Sequence, residues 1–135
     1  MLSLYILMRN DMESLTGSNF NRVGKAVAQG SHASNQMVVE ALNKNDPNLN
    51  ELLSKWSSEA NGFGTCIVLS VTEAQMRASV CYAQALGFHA GITHDPTYPL
   101  LDGETLHLIP VDTCAYIFGY KHELRLIIGD FDLMP

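Results

Sequence analysis

Hydrophobic and polar positions change period several times along the chain, and each change marks an element. Leu4 to Met8 is a compact apolar run and predicts a buried strand. A polar loop, Asn10 to Ser18, follows. From Phe20 to Leu42 the apolar residues recur at helical spacing. Val23, Ala26, Val27, Gly30, Ala33, Ser34, Met37, Val38 and Ala41 share one side, predicted to pack on a sheet. Lys25, Gln29, His32 and Gln36 form a narrow polar stripe on the other. Gly24 and Gly30 each cost helix stability, about 1 kcal/mol relative to Ala, and Gly30 on the packing face predicts close approach to a neighbour.

Asn45-Asp46-Pro47-Asn48 breaks that helix. Leu49, Leu52, Leu53 and Trp56 then mark a short amphipathic helix. After a turn at Asn61-Gly62-Phe63-Gly64, the run Thr65 to Val71 reads as a central strand. Thr72-Glu73-Ala74-Gln75 has capping-box form. It opens a helix that turns Met76, Val80, Ala83 and Leu86 inward and ends at Gly87. Phe88 to Thr93 predicts a third strand ending in His94-Asp95, followed by a loop through Gly103 and a fourth strand, Thr105 to Val111. The alternation around Gly119 to Glu123 reads as an added hairpin ending near Ile128. The order β-α-α-β-α-β-β predicts an α/β fold, a mixed four- to five-stranded sheet with helices packed on it.

A chain of 135 residues has the size of one domain with its own core, and without repeat or linker it reads as one domain over 1–135. Its apolar runs are too short to span a bilayer, and Met1 to Met8 lacks the preceding basic segment of a signal peptide. A cytoplasmic protein away from the membrane is expected. Cys66, Cys81 and Cys114 lie far apart among apolar neighbours, which matches neither a disulfide framework nor a zinc site. No metal and no cofactor are expected. The net charge of −6 argues against a strong grip on nucleic acid. Acids dominate from Asp95 onward, whereas Arg9, Arg22 and Lys25 make the first 36 residues slightly basic. Any nucleic-acid contact therefore belongs to the N-terminal part, weak and salt-sensitive.

The segment Gly24-Lys25-Ala26-Val27-Ala28-Gln29-Gly30-Ser31-His32-Ala33 resembles the helix motif G-K-x-x-A-Q-x-S-H-A of the class II (archaeal and eukaryotic-type) peptidyl-tRNA hydrolases. Met8-Arg9-Asn10-Asp11, Leu86-Gly87 with Asp95, and Asp102-Gly103-Glu104-Thr105 are similar to further family elements in family order. The resemblance covers about residues 4–111. It departs at Val23, where the family often has a second lysine (Arg22 adjoins it), and in the loop after Asp95, which lacks the family's Gly, Arg, Thr and Gln. The tail after Val111, with the expected hairpin, is atypical.

The resemblance implies metal-independent hydrolysis of the ester joining a peptide to the tRNA 3′ end, releasing free tRNA. Such a reaction needs an oriented water, a proton acceptor and stabilisation of an oxyanion. Lys25 and Asp95 are the leading catalytic pair, both expected at the carboxyl edge of the sheet. Gln29 would position the water or the carbonyl. His32 is a base by residue type, but about 10 Å along the helix from Lys25, and so reads as a rim or structural residue. Ser31 has no activating partner. Arg9, Arg22, Thr97 and Tyr98 are candidates for substrate binding, Tyr98 by stacking on the terminal adenine or merely covering the loop. The alternative is a catalytically inactive relative serving as a protein- or ligand-binding module. A homodimer through the edge of the C-terminal hairpin is compatible with either.

Overall fold

The computed structural model describes residues 1–12 and 23–135, so Arg22 and the expected helix start at Phe20 lie outside the described residues. Four strands form one mixed sheet: β1 (Leu2–Arg9), β2 (Cys66–Val71), β3 (His89–Asp102) and β4 (Thr105–Tyr120), in the spatial order β2-β1-β4-β3. β2 runs parallel to β1, while β4 is antiparallel to both β1 and β3. β3 therefore points the same way as β1, and its Asp95 lies toward the end of the sheet that holds Arg9. The expected α/β fold with a mixed sheet is what forms.

Helices cover both faces, which explains why β1 is apolar at nearly every position rather than at every second one. Leu4, Ile6 and Met8 join Cys114, Tyr116 and Phe118 of β4 under α1 (Val23–Asn43) and α2 (Pro47–Ser58). Tyr5 and Leu7 join Ala115 and Ile117 on the opposite face, under α3 (Glu73–Ala85) and α4 (Lys121–Ile128). Asp46 caps α2, accepting from the backbone N–H groups of Asn48 and Leu49. Trp56 of α2 donates its indole N–H to the Thr65 carbonyl at 2.8 Å. Gly64 lies at φ +73° with its missing Cβ only 2.2 Å from the Trp56 ring, so a side chain there has neither room nor an easy backbone conformation. The capping box forms as expected, with reciprocal Thr72–Gln75 bonds of 2.9 and 3.2 Å.

Several expectations are corrected. α1 does not seat all its apolar residues: Val23 and Val27 are exposed, and the buried line is Gln29, Ala33, Met37 and Ala41. The polar stripe turns toward β3 and β4, because those strands offer it hydrogen-bonding partners. A Cβ on Gly30 would meet Ile6 at 3.8 Å, an ordinary contact, so close packing does not demand glycine there. Leu86 is exposed, not inward. The expected loop 96–103 is strand for most of its length. Residues 98–102 pair with 105–109 in a two-stranded ribbon that runs past the end of β1, after register shifts at Thr93/His94 and Asp95/Tyr98.

The C-terminal hairpin does not form. β4 continues to Tyr120, and residues 121–128 are helical, because Leu124 and Ile128, one turn apart, are buried against the sheet. The chain then returns along the outer edge of β2, where the Ser70 N–H donates to the Asp132 carbonyl and the Met134 N–H to the Val68 carbonyl. With no hairpin, the edge proposed for a homodimer is absent, and the tail covers that stretch of β2.

Candidate functional site

The polar stripe of α1 is zipped onto β3 and β4. Gln29 donates from Nε2 to Asp95 Oδ2 at 2.8 Å and accepts at Oε1 from the Thr113 hydroxyl at 2.7 Å. Two turns on, Gln36 donates to the Ile92 carbonyl and accepts from the Thr93 hydroxyl. Glu40 accepts from the Tyr116 hydroxyl, and Lys44 donates to Nδ1 of His89, whose Nε2 donates to the Met37 carbonyl. A helix face that reads as solvent-exposed is thus a clamp on the far edge of the sheet. Burial of these polar groups is tolerable because each finds a partner.

Asp95 is held on both oxygens, since Oδ1 accepts from the Thr97 N–H at 2.9 Å while Oδ2 takes Gln29. Both donors are neutral. A carboxylate has about four acceptor positions, so lone pairs remain for a water. Beside it lies a cleft of about 370 Å³ between α1 and β3, lined by Gln29, His32 and Gln36 from the helix and by residues 93–97 from the strand. His32 is exposed on this rim.

Lys25 does not ion-pair with Asp95. Its ammonium donates to the Pro99 carbonyl at 3.1 Å and stands 5.0 Å from the centre of the Tyr98 ring. Tyr98 is fully buried, in a small cluster with Met12 and Val111, so its ring supports Lys25 and is closed to a stacked base. Burial, and then the nearby charge of Asp95, push the Tyr98 phenol up to about 12. Gln29 and Asp95 are therefore brought together directly, and Lys25 reaches the same strand four residues further on.

Arg9 is buried and committed elsewhere, to Asp11 and Glu73 at 2.9 Å each and to the Asp112 carbonyl. Arg77 extends this network by pairing with Glu73 and Asp112, and His94 donates from Nδ1 to Asp112 at 2.7 Å. Burial raises the affinity of Asp112 for a proton, but the bonds from Arg77 and His94 outweigh it and hold the carboxyl below the usual range. Sequence reasoning missed Thr113, Asp112 and Arg77. Thr113 had one signal, a hydroxyl between Asp112 and the apolar run that begins at Cys114.

The cleft thus presents a carboxylate held by an amide from α1, with the Lys25 ammonium on the neighbouring stretch of β3, at one end of an α/β sheet. The family model described as peptidyl-tRNA hydrolase PTH2 matches residues 2–134, and the chain belongs to that family. The match runs through the C-terminal tail. No curated protein matches the chain. No helix among the described residues is long and apolar enough to cross a membrane, and no described group of three or more His, Cys, Asp or Glu side chains is arranged to hold a metal ion.

Proposed function

We propose that this chain is an active peptidyl-tRNA hydrolase working in the cytoplasm without a metal. The observation that carries the reading is the chain from buried Thr113 through buried Gln29 to half-buried Asp95, which holds a carboxylate at the edge of a cleft. Asp95 orients a water and takes its proton as the water oxygen attacks the ester carbonyl carbon. The carbonyl becomes an oxyanion, offset by the Lys25 ammonium and the remaining amide hydrogen of Gln29. The bond to the ribose oxygen then breaks, and the proton passes from Asp95 to that oxygen, leaving free tRNA and a peptide acid. His32 and Thr97 border the substrate, while Tyr98 acts on Lys25.

Binding of the tRNA backbone is weak and salt-sensitive in this reading. Arg9 is already neutralised by two acids, and the whole chain carries −6. A second reading, a binding module without turnover, is favoured by one observation: the Lys25 ammonium is engaged by the ribbon and not by Asp95.

Hydrolysis of N-blocked aminoacyl-tRNA at low salt separates the two. Turnover that falls about 100-fold or more in Lys25→Ala and Asp95→Asn, with folding intact, supports the hydrolase. A wild type without turnover at any salt concentration overturns it in favour of the binding module.

A further inference from the structure

On the sheet face opposite the Asp95 cleft lies a groove of about 600 Å³, floored by Tyr5, Ile67 and Leu69 and walled by α4 and the C-terminal tail. Its volume falls in the range of small-molecule sites. The walls are apolar, formed by Ile128, Phe131 and Leu133, and among the described residues the only charged ones in the lining are Lys121 and Arg125.

Among the described residues these two cations differ from the others. Arg9 and Arg77 pair with acids, Lys44 bonds His89, Lys55 bonds the Tyr120 hydroxyl and Lys25 bonds Pro99. Among the described residues the side chains of Lys121 and Arg125 make no ion pair or hydrogen bond, and Asp130 and Asp132 form none with them. They stand one turn apart on α4, where like charges weaken a helix. Lys121 is also in the first turn, the end where the helix dipole disfavours a cation.

We propose that this groove binds an aliphatic carboxylate, a medium- or long-chain fatty acid, with the alkyl chain along Ile67, Leu69 and Phe131 and the carboxylate between Lys121 and Arg125. Charge complementarity selects an anion, and the apolar walls select an alkyl body over a bare phosphate. A peptide strand fits less well, because the β2 edge beside the groove already bonds residues 132–134. An alkyl chain needs no such edge. The proposal is independent of hydrolase activity.

Calorimetric titration of the full chain with octanoate at low ionic strength tests it. One saturable site is expected, with decanoate binding roughly tenfold more tightly for its two added methylenes. Octanol, which has the chain without the charge, should bind at least tenfold more weakly than octanoate. Lys121→Glu with Arg125→Glu, both at exposed positions, should weaken octanoate to the same degree, and Arg125→Gln by less. Amide resonances of Leu69, Gly129 and Phe131 should shift on binding. Absence of saturation, equal affinity for octanol or for the charge-reversed chain, or shifts centred instead on the apolar groove beside Val23 and Val27 would overturn the proposal.

Discussion

Removing the Gln29 amide tests the site and the fold together. Gln29 is only 4% exposed and ties α1 to β3 and β4 through bonds of 2.8 and 2.7 Å. In Gln29→Ala the Thr113 hydroxyl, itself fully buried, keeps only a long 3.7 Å contact to the Cys114 sulfur. An unsatisfied buried hydroxyl costs about 1–3 kcal/mol. Asp95 is half-buried, so water replaces part of its lost bond, and the vacated volume adds a further cavity cost. The sum is about 2–4 kcal/mol, large enough to read in urea unfolding at pH 7. Gln29→Met keeps the volume and isolates the polar part, about half of the loss. Hydrolysis should fall roughly 100-fold in either variant, since the carboxylate loses its orientation. Gln29→Glu places a carboxylate beside Asp95 and should be the least stable at pH 7, recovering in part in acid as the pair takes up a proton. A loss below about 0.5 kcal/mol in Gln29→Ala, within the range of ordinary surface changes, would refute the claim that this amide holds the site together.

Tyr98→Leu removes the ring face beneath Lys25 while keeping apolar volume. It should lower kcat roughly threefold to tenfold with KM little changed, whereas Tyr98→Phe stays near wild type. Equal kinetics for the Leu and Phe variants would detach the ring from Lys25. His89 has its pKa lowered by burial, aided by the charge of Lys44 against the opposing Met37 carbonyl. The unfolded chain therefore binds this proton more readily, and stability that is complete above about pH 6.5 declines as pH falls through the lowered value. Urea melts from pH 7.5 to 5 should show that decline in the wild type and a shallower one in His89→Gln, and parallel slopes would contradict it. Hydrolysis by Lys25→Ala and Asp95→Asn and binding of octanoate supply the remaining checks.

Local chemistry made much of the fold legible in the sequence. The capping box at Thr72, the helix break at Asn45 to Asn48, the glycine turn before β2 and the apolar run of β1 depend on neighbours in the chain, and each forms as its residues predict. The sequence pattern pairs Asp95 with Lys25, whereas the fold pairs it with Gln29 and sends Lys25 to Pro99. Partners brought from afar were not legible. Lys25, Gln29, His32 and Gln36 read as one polar face, yet Gln29 is buried and His32 exposed, because only the position of β3 decides which of them is covered. The apolar residues Val23 and Val27 stay in solvent for the same reason.

The sequence by itself determined where most elements begin and the mixed α/β class, because capping, turn chemistry and periodicity act over a few residues, and the motif Gly24 to Ala33 carried the resemblance to the family. It did not determine that residues 121–128 form a helix instead of a hairpin, since alternation and helical spacing coexist there and burial of Leu124 and Ile128 against the sheet selects one. Nor did it determine that Lys25 rests on Tyr98 and Pro99, which lie more than 70 positions away. That contact exists only because β3 and β4 pair past the end of β1 and carry the ribbon up to α1. Tertiary structure decides such contacts, because the free energy that forms them comes from burying and pairing groups that the chain alone does not bring together.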